Sequence, residues 1–458
     1  MVFSSIMFLF RFMPVAFVLY YLTPGRFKNA MLFALSLVFY SWGEVRFFPI
    51  MLISASVDYF VGRAIERNRG NTRACNGFLA ISLTFSLGSL LFFKYTNFFI
   101  DNVNLLLSAS IPNIGLTLPL GISFYTFQTM SYAIDVYRGK IKAEKSFINF
   151  ATYVAMFPQL IAGPIVRYTD ISREMKNRVM NPAQIQSGVM LFIMGLGSKV
   201  LIANNVGELW TQVEQIGFAD ISTALAWLGI LAFSLQIYFD FSGYSLMAIG
   251  LGKMLGFHFP QNFHYPYISK SATEFWRRWH MTLGSFFREY VYLPLGGNRV
   301  SKPRQYLNIF IVWLLTGFWH GASWNFVLWG LYFCLFLCIE KTFLLKLLGK
   351  SKILAHVYLL FIVVVSWALF AITDFSQLGV FLSIMFGRVG GDDWMYYLRN
   401  YSASLILGIL LATPLLRKIS GKLKDNYAVQ SVFAAVVLLL SVAYLVDSTY
   451  NPFLYFRF

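Results

Sequence analysis

The chain has 458 residues, of which 58% are hydrophobic and 12% are charged, and its mean hydropathy is +0.62. A soluble domain of this size carries about twice that share of charged residues, so the composition excludes an ordinary soluble protein. Apolar stretches long enough to cross a bilayer recur from end to end. We therefore expect a single membrane domain over residues 1–458, whose first apolar segment is a span and not a removable signal.

The net charge is +17, which in a soluble protein would suggest nucleic acid as a partner. Here the basic residues lie in short loops between apolar segments, a distribution typical of cytoplasmic loops. We therefore expect membrane lipids, and no nucleic acid, as partners. The three cysteines show no metal-binding spacing with histidine, and we expect no metal.

These basic loops predict an all-α, polytopic membrane protein with both termini outside the cytoplasm. Residues 447–458 would form an extracytoplasmic aromatic tail, and 374–393 an outside loop. The predicted spans lie near residues 5–22, 29–44, 47–62, 76–96, 116–136, 185–205, 222–245, 353–372, 401–416 and 428–446.

Two apolar segments have basic loops on both sides and do not fit as simple spans. One is 147–166, which contains two prolines, and the other is 306–340. The arm of 306–340 before Trp319 has about a dozen residues, roughly 18 Å as helix, which reaches half way across the hydrocarbon core. Bent backbone at that depth must be buried in protein or line a wet cavity. We predict a re-entrant hairpin with His320 at its buried apex, in the bend 317–321.

Ionisable residues inside a membrane domain are functional candidates. A neutral imidazole is a suitable general base for an alcohol, and a dry aromatic site would keep His320 neutral. The alternative is a structural histidine bonded to a backbone carbonyl. Of the other histidines, His258 and His264 suggest structural roles and His356 an interfacial position.

A second candidate, His280, follows Ser271 and Glu274, whose spacing is a capping box that predicts a helix start. Helical spacing puts Trp276 and His280 on one apolar face together with Leu283 and Phe287. The neighbouring cations Arg277 and Arg278 point elsewhere, either toward the phosphates of a cytoplasmic cofactor or as a solvated or lipid-headgroup face. Asp240, near the end of a span, either orients a base or pairs with an arginine in a structural salt bridge.

Several motifs together resemble the membrane-bound O-acyltransferase family. Gly317-Phe-Trp-His-Gly-Ala-Ser-Trp-Asn325 is similar to the motif around that family's invariant histidine. Glu274-Phe-Trp-Arg-Arg-Trp-His280 with Tyr292-Leu-Pro-Leu-Gly-Gly-Asn-Arg299 is similar to the upstream motif of the branch that acetylates alginate and peptidoglycan. Further similar segments are 121–139, 157–167 and 236–244.

The resemblance implies a ring of about ten or eleven transmembrane helices around a central funnel, in the bacterial cytoplasmic membrane. It implies His320 and His280 as catalytic residues, and acetyl-CoA, taken from the cytoplasmic side near Arg277 and Arg278, as the donor. The funnel would be lined by Trp276, Trp319, Asn325 and Asp240. The acetyl group would reach an exported polysaccharide such as alginate or peptidoglycan, through an extracytoplasmic acetyltransferase or esterase-like partner.

The C-terminal Phe453-Leu-Tyr-Phe-Arg-Phe458 resembles a tail of this branch, which makes Tyr455 a candidate acyl relay. A phenol has a pKa near 10, far below that of a sugar hydroxyl, and phenolate leaves readily. A covalent step of this kind divides one transfer into two easier ones. The alternative is an aromatic anchor at the membrane surface.

Two other functions stay open at this point. A secondary transporter also combines many spans with re-entrant segments and a midplane ionisable residue. A D-alanyl transferase fed by a carrier protein would need a docking surface on the cytoplasmic face instead of a coenzyme pocket.

Overall fold

The computed structural model describes residues 1–416, 426–447 and Leu454, and in these residues the chain forms helices and no strands. Six of the helices are long and apolar enough to cross a membrane: Phe48–Arg67, Thr72–Leu107, Pro182–Ile216, Thr223–Met254, Lys352–Ala371 and Tyr427–Asp447. Two shorter apolar helices are Phe8–Leu22 and Phe375–Phe386. The prediction of an all-α, multi-pass membrane protein is confirmed.

Contacts divide the chain into two compact units. Unit 1 comprises Met1–Phe192 and Met247–Pro260, and unit 2 comprises Ile193–Leu246 and Gln261–Phe458. Two long helices, Pro182–Ile216 and Thr223–Met254, contribute residues to both units. The other helices of unit 1 are Phe8–Leu22, Lys28–Glu44, Phe48–Arg67, Thr72–Leu107, Ile122–Tyr137, Phe147–Ala155, Phe157–Leu160 and Tyr168–Lys176.

In unit 1, the segment predicted to be no simple span is broken into two helices. Phe147–Ala155 ends before Met156, and the four-residue helix Phe157–Leu160 begins there with Pro158 in its first turn. Gly163 follows with a φ of +115°, which is accessible to glycine at little cost. This prediction is confirmed, and the broken segment is almost entirely buried.

Unit 2 holds the residues predicted to be catalytic. Its α-helices after the long helix Thr223–Met254 are Ala272–Phe275, Met281–Phe287, Lys302–His320, Trp324–Ile339, Leu345–Leu348, Lys352–Ala371, Phe375–Phe386, Asp393–Leu411 and Tyr427–Asp447.

The helices Lys302–His320 and Trp324–Ile339 form the predicted hairpin. Its arms approach closely at two glycines: a Cβ on Gly317 would lie 2.5 Å from the carbonyl oxygen of Phe326, and one on Gly330 would lie 2.4 Å from that of Trp313. Contacts this short exclude any side chain, so the arms pack backbone against backbone. The first arm has 19 residues and is longer than predicted, because the helix already begins in the basic loop, with Pro303 in its first turn.

Two boundaries in unit 2 differ from the predictions. The stretch 374–393, predicted as a loop, contains the helix Phe375–Phe386, which starts where the Asp374 carboxylate accepts the Gln377 N–H at 2.8 Å. One of the acidic residues that suggested a loop, Asp374, is thus the N-cap of this helix. The span predicted over 401–416 is the helix Asp393–Leu411, so it begins earlier.

Candidate active site

His320 is the last residue of the first hairpin helix, and the bend follows at residues 321–323. His320 lies at the apex as predicted, but it is partly exposed and not buried, and the bend lies slightly later than 317–321. The imidazole is partly exposed and packs against the rings of Trp319, Trp329 and Phe370, at centroid distances of 5.0, 4.9 and 5.4 Å. The hairpin thus presents the imidazole in an aromatic setting.

His280 lies at a break between two short helices, so the predicted continuous helix is wrong. Ala272–Phe275 starts at the predicted cap, where the Ser271 hydroxyl accepts the Glu274 N–H at 3.0 Å. His280 then has a φ of +43°, and Met281–Phe287 begins after it. A positive φ is costly for a residue with a side chain and is common at functional sites. The predicted sidedness nevertheless holds, since His280 is buried and Arg277 is exposed.

The backbone at this break is held by Asn262, which sequence reasoning missed. The Met281 N–H donates to the Asn262 carbonyl oxygen at 2.9 Å. The Asn262 side-chain Oδ1 accepts from the Thr282 N–H at 3.3 Å and from the Thr282 hydroxyl at 2.8 Å. The same Oδ1 lies 3.0 Å from His280 Nδ1, so one amide side chain organises both the turn and the imidazole.

These contacts determine the tautomer of His280. A backbone N–H is always a donor, so the Asn262 atom that receives the Thr282 N–H must be the oxygen. His280 Nδ1 faces that oxygen and therefore carries the ring proton, which leaves the lone pair on Nε2. The Nε2 atom is buried and has no hydrogen-bond partner among the described residues. His280 thus offers an unoccupied hydrogen-bond acceptor.

The surroundings of His280 keep it uncharged. The residue lies in the stretch between the spanning helices, and burial there lowers the pKa of His280 to about 3. Its neighbours are the rings of Phe241, Phe263 and Trp319, at 4.7, 6.4 and 6.0 Å, none of which carries charge. At neutral pH the imidazole is therefore neutral and can accept a hydrogen bond, whereas its burial disfavours the protonated form.

Trp319 connects the two histidines, because its ring packs against both imidazoles.

Two further tryptophans lie in the same aromatic cluster. Trp276 packs on Trp313, Trp329 and Phe333 at ring-centroid distances of 4.8 to 5.5 Å. The indole N–H groups of Trp276 and Trp329 are buried without a hydrogen-bond acceptor among the described residues. Unsatisfied donors in such a place are costly unless a ligand completes them.

Asn325 supports the hairpin through its side-chain Nδ2, while its Oδ1 is buried without a hydrogen-bond partner among the described residues. Its side chain is fully buried, and Nδ2 lies 3.2 Å from the Leu369 carbonyl oxygen and 3.3 Å from that of Phe370. These carbonyls belong to the last turn of Lys352–Ala371, where they have no helical partner. Because the Phe370 ring packs on His320, this contact ties the second hairpin arm to the ring that flanks the candidate base.

The two arginines proposed to bind the donor have different surroundings. Arg278 lies 2.8 Å from a Glu274 carboxylate oxygen and 3.3 Å from the carbonyl oxygen and Nδ1 of His264. Arg277 is exposed, and its guanidinium forms no hydrogen bond or ion pair with the described residues, although its backbone N–H donates to the Glu274 carbonyl oxygen at 3.1 Å. Arg278 is therefore part of the local scaffold, and Arg277 is the guanidinium available to a ligand.

Asp240 forms a buried ion pair, with Oδ1 2.5 Å from Nζ of Lys199. Its other oxygen, Oδ2, accepts the backbone N–H of Leu454 at 2.8 Å. The predicted salt bridge is thus present, with lysine as the cation. Tyr455, the candidate acyl relay, lies outside the described residues.

The three weaker histidines have contacts or exposure typical of structural and surface residues. His258 is exposed and faces Glu174 at 3.2 Å in unit 1, and His264 contacts Arg278. His356 is partly exposed in the first turns of Lys352–Ala371.

Sequence reasoning also missed Glu340, a buried carboxylate that accepts the backbone N–H groups of Ala272 and Thr273 at 2.5 and 2.9 Å. It holds the start of the short helix before His280. The sequence does indicate that Glu340 needs a partner, since it is an acidic residue at the end of an apolar run.

Comparison with known proteins identifies the family of the chain. The sequence model of the membrane-bound O-acyltransferase family matches residues 141–385, which include both candidate histidines. A protein of Azotobacter vinelandii named "Probable alginate O-acetylase AlgI" is 38% identical over 91% of this chain and 83% of its own length. The "Peptidoglycan O-acetyltransferase" of Helicobacter pylori is 32% identical over 100% of this chain and 98% of its own.

A more distant relative is the "Teichoic acid D-alanyltransferase" of Streptococcus thermophilus, 29% identical over 50% of this chain and 58% of its own length. The family match covers more than half of the chain, and the acetylating relatives cover nearly all of it. The chain therefore belongs to the membrane-bound O-acyltransferase family and is a multi-pass membrane acyltransferase of the type that O-acetylates alginate and peptidoglycan.

Proposed function

We propose that this enzyme takes an acetyl group from acetyl-CoA on the cytoplasmic side of the bacterial cytoplasmic membrane and passes it outward. The group is then attached to a cell-envelope or exported polysaccharide by an extracytoplasmic acetyltransferase or esterase-like partner. The proposal is supported by one observation: His280 Nε2 is a buried hydrogen-bond acceptor, and the Trp319 ring contacts the imidazoles of both His280 and His320.

In the proposed reaction, a hydroxyl oxygen of the acceptor attacks the carbonyl carbon of the thioester. His320 accepts the hydroxyl proton as the new C–O bond forms. The C–S bond then breaks, and the leaving thiolate takes the proton from the imidazolium. The hydroxyl group thus becomes an acetyl ester, coenzyme A leaves as the free thiol, and His320 returns to its neutral form.

His280 helps by offering a second acceptor, which holds an N–H or O–H group of a substrate beside His320. The unsatisfied N–H groups of Trp276 and Trp329 supply donors for a carbonyl oxygen whose negative charge grows during the attack. Acyl transfer uses a base for the attacking hydroxyl group and hydrogen-bond donors for the developing oxyanion, and this site offers residues for both roles.

The donor proposal rests on Arg277, the exposed guanidinium that precedes this site in sequence. A guanidinium binds phosphate through paired hydrogen bonds, and coenzyme A carries three phosphates. Tyr455 is the proposed first acceptor, since a phenol is deprotonated more easily than a sugar hydroxyl.

The proposal is tested by incubating the purified protein in liposomes with radiolabelled acetyl-CoA. We expect covalent label on the wild-type protein and on His258→Ala, which changes a histidine outside the site, and none on His320→Ala. Label on wild type that is absent from Tyr455→Phe would assign the acceptor. Equal labelling of His320→Ala and wild type would refute the catalytic assignment.

Transfer of D-alanine from a carrier protein is the second candidate, motivated by the relative named for that reaction. In the same liposomes, label from a D-alanyl carrier protein and none from acetyl-CoA would favour it. A transporter without covalent chemistry is set aside, because the chain belongs to an acyltransferase family.

A further inference from the structure

Lys199 and Asp240 form an ion pair whose side chains are only 4% and 2% exposed. Both residues lie within helices long and apolar enough to span the membrane, Pro182–Ile216 and Thr223–Met254. A buried ion pair is weak evidence for stability, because desolvation offsets most of the attraction. Ionisable groups inside membrane helices generally serve a function, so the second carboxylate oxygen of Asp240 is informative.

That oxygen accepts the backbone N–H of Leu454, which is 214 residues away in the chain. Leu454 follows the last long helix, Tyr427–Asp447, and its side chain is 6% exposed. It belongs to the apolar core of unit 2, together with Ile202 and Phe239. The described residue of the C-terminal tail therefore lies inside unit 2 and is not exposed at a surface.

We propose that Asp240 is the docking point of the C-terminal tail at Leu454, and that Lys199, through its contact with Oδ1, orients the Asp240 side chain so that Oδ2 faces the Leu454 N–H. A backbone N–H group buried in an apolar core needs such an acceptor, because an unsatisfied buried donor is costly. The next residue of the same helix, Phe241, contacts the imidazole of His280 at a ring-centroid distance of 4.7 Å. Lys199 and Asp240 are therefore positioning residues that hold Leu454 in the core of unit 2, which also contains the candidate active site.

Only one consequence of the docking rests on the proposed function: the docked tail takes part in acetyl transfer. The docking itself is independent of the reaction, and it is measured without any substrate.

A cysteine at position 454 reports the docking in the full-length protein. In a background where Cys75, Cys334 and Cys338 are replaced by serine, Leu454→Cys places a thiol where Leu454 is buried. Two double variants both remove the ion pair. Lys199→Met with Asp240→Asn retains an oxygen that can accept the N–H, whereas Lys199→Met with Asp240→Leu retains none.

We expect the slowest maleimide labelling of the cysteine in the parent and somewhat faster labelling in the asparagine variant, which has lost the orienting contact of Lys199. The leucine variant should label about tenfold faster than the asparagine variant, as for the loss of one buried hydrogen bond. Equal rates in the two double variants would overturn the proposal. So would a parent that labels as fast as denatured protein. A parallel series that keeps only Cys334, which is 8% exposed in unit 2, reports whether each variant is folded.

If the leucine variant does not fold, Leu454→Pro removes the donor instead and leaves the ion pair unchanged, because proline has no N–H. Its matched control is Leu454→Val, which keeps the N–H. We expect acetyl transfer to fall at least tenfold in Leu454→Pro relative to Leu454→Val, and equal activity would overturn the role of docking. A wild-type protein without acetyl transfer would refute the proposed function, while the labelling rates would still decide the docking.

Discussion

Replacing Asn262 by leucine, which has a similar size and no polar atoms, should disable His280 without altering it. The change removes the acceptor for His280 Nδ1–H and for two donors of Thr282. It also removes the Nδ2 donor that lies 3.1 Å from the Ser245 hydroxyl. Each buried donor left unsatisfied costs about 1–3 kcal/mol, so with partial relaxation we expect the free energy of unfolding to fall by about 3–5 kcal/mol.

The effect on catalysis follows from the tautomer. Without the Asn262 oxygen, nothing among the described contacts holds the ring proton on Nδ1, and a proton on Nε2 abolishes the free acceptor. We expect kcat to fall about 100-fold, at the low end of what proton-transfer groups contribute. Asn262→Asp keeps an acceptor at the same place and should retain kcat within about tenfold.

The assay combines acetyl-transfer kinetics with ¹⁵N NMR of histidine-labelled protein, since the two tautomers have different ring-nitrogen shifts. Ser245→Ala is the matched control, because it removes one partner of Asn262 and leaves Oδ1 unchanged. It should lower stability by about 1 kcal/mol and preserve the Nδ1–H form. Folded Asn262→Leu protein with a wild-type kcat, or wild-type protein protonated on Nε2, would refute the reasoning.

Three further outcomes are expected. Because burial lowers the pKa of His280 to about 3, the unfolded chain binds a proton below about pH 6.5 that the folded protein excludes. Stability should therefore fall as the pH drops from about 6.5 toward 3, by about 2 kcal/mol at pH 5 from this group, and His280→Gln should lack that part of the acid dependence in thermal unfolding. Gly330→Ala places a Cβ 2.4 Å from the Trp313 carbonyl oxygen and should lower the free energy of unfolding by about 3 kcal/mol or more. Thermal unfolding of the detergent-solubilised protein measures this loss, and an unchanged melting temperature would contradict the backbone contact. Arg277→Ala should raise the KM for acetyl-CoA about tenfold with the melting temperature unchanged, while Arg278→Ala should lower the melting temperature because it breaks the contact with Glu274; the reverse pattern would exchange their roles.

The sequence by itself determined the class of fold. Composition and the recurrence of apolar stretches depend only on local residue content, and they predicted an all-α membrane protein that the structure confirms. The hairpin that carries His320 was also predictable, because basic residues on both sides of one apolar stretch force the chain to turn back. The helix start at Ser271 followed from a local hydrogen bond.

The tertiary structure alone decided how the site is assembled. The periodicity of Trp276, His280, Leu283 and Phe287 continues through the point where the backbone breaks, because periodicity records which side chains are buried and not the path of the chain. The break depends on Asn262, 18 residues before His280. The docking of Leu454 on Asp240 spans 214 residues. Such pairs form only when helices distant in sequence pack together, and no local pattern encodes which buried polar groups then meet.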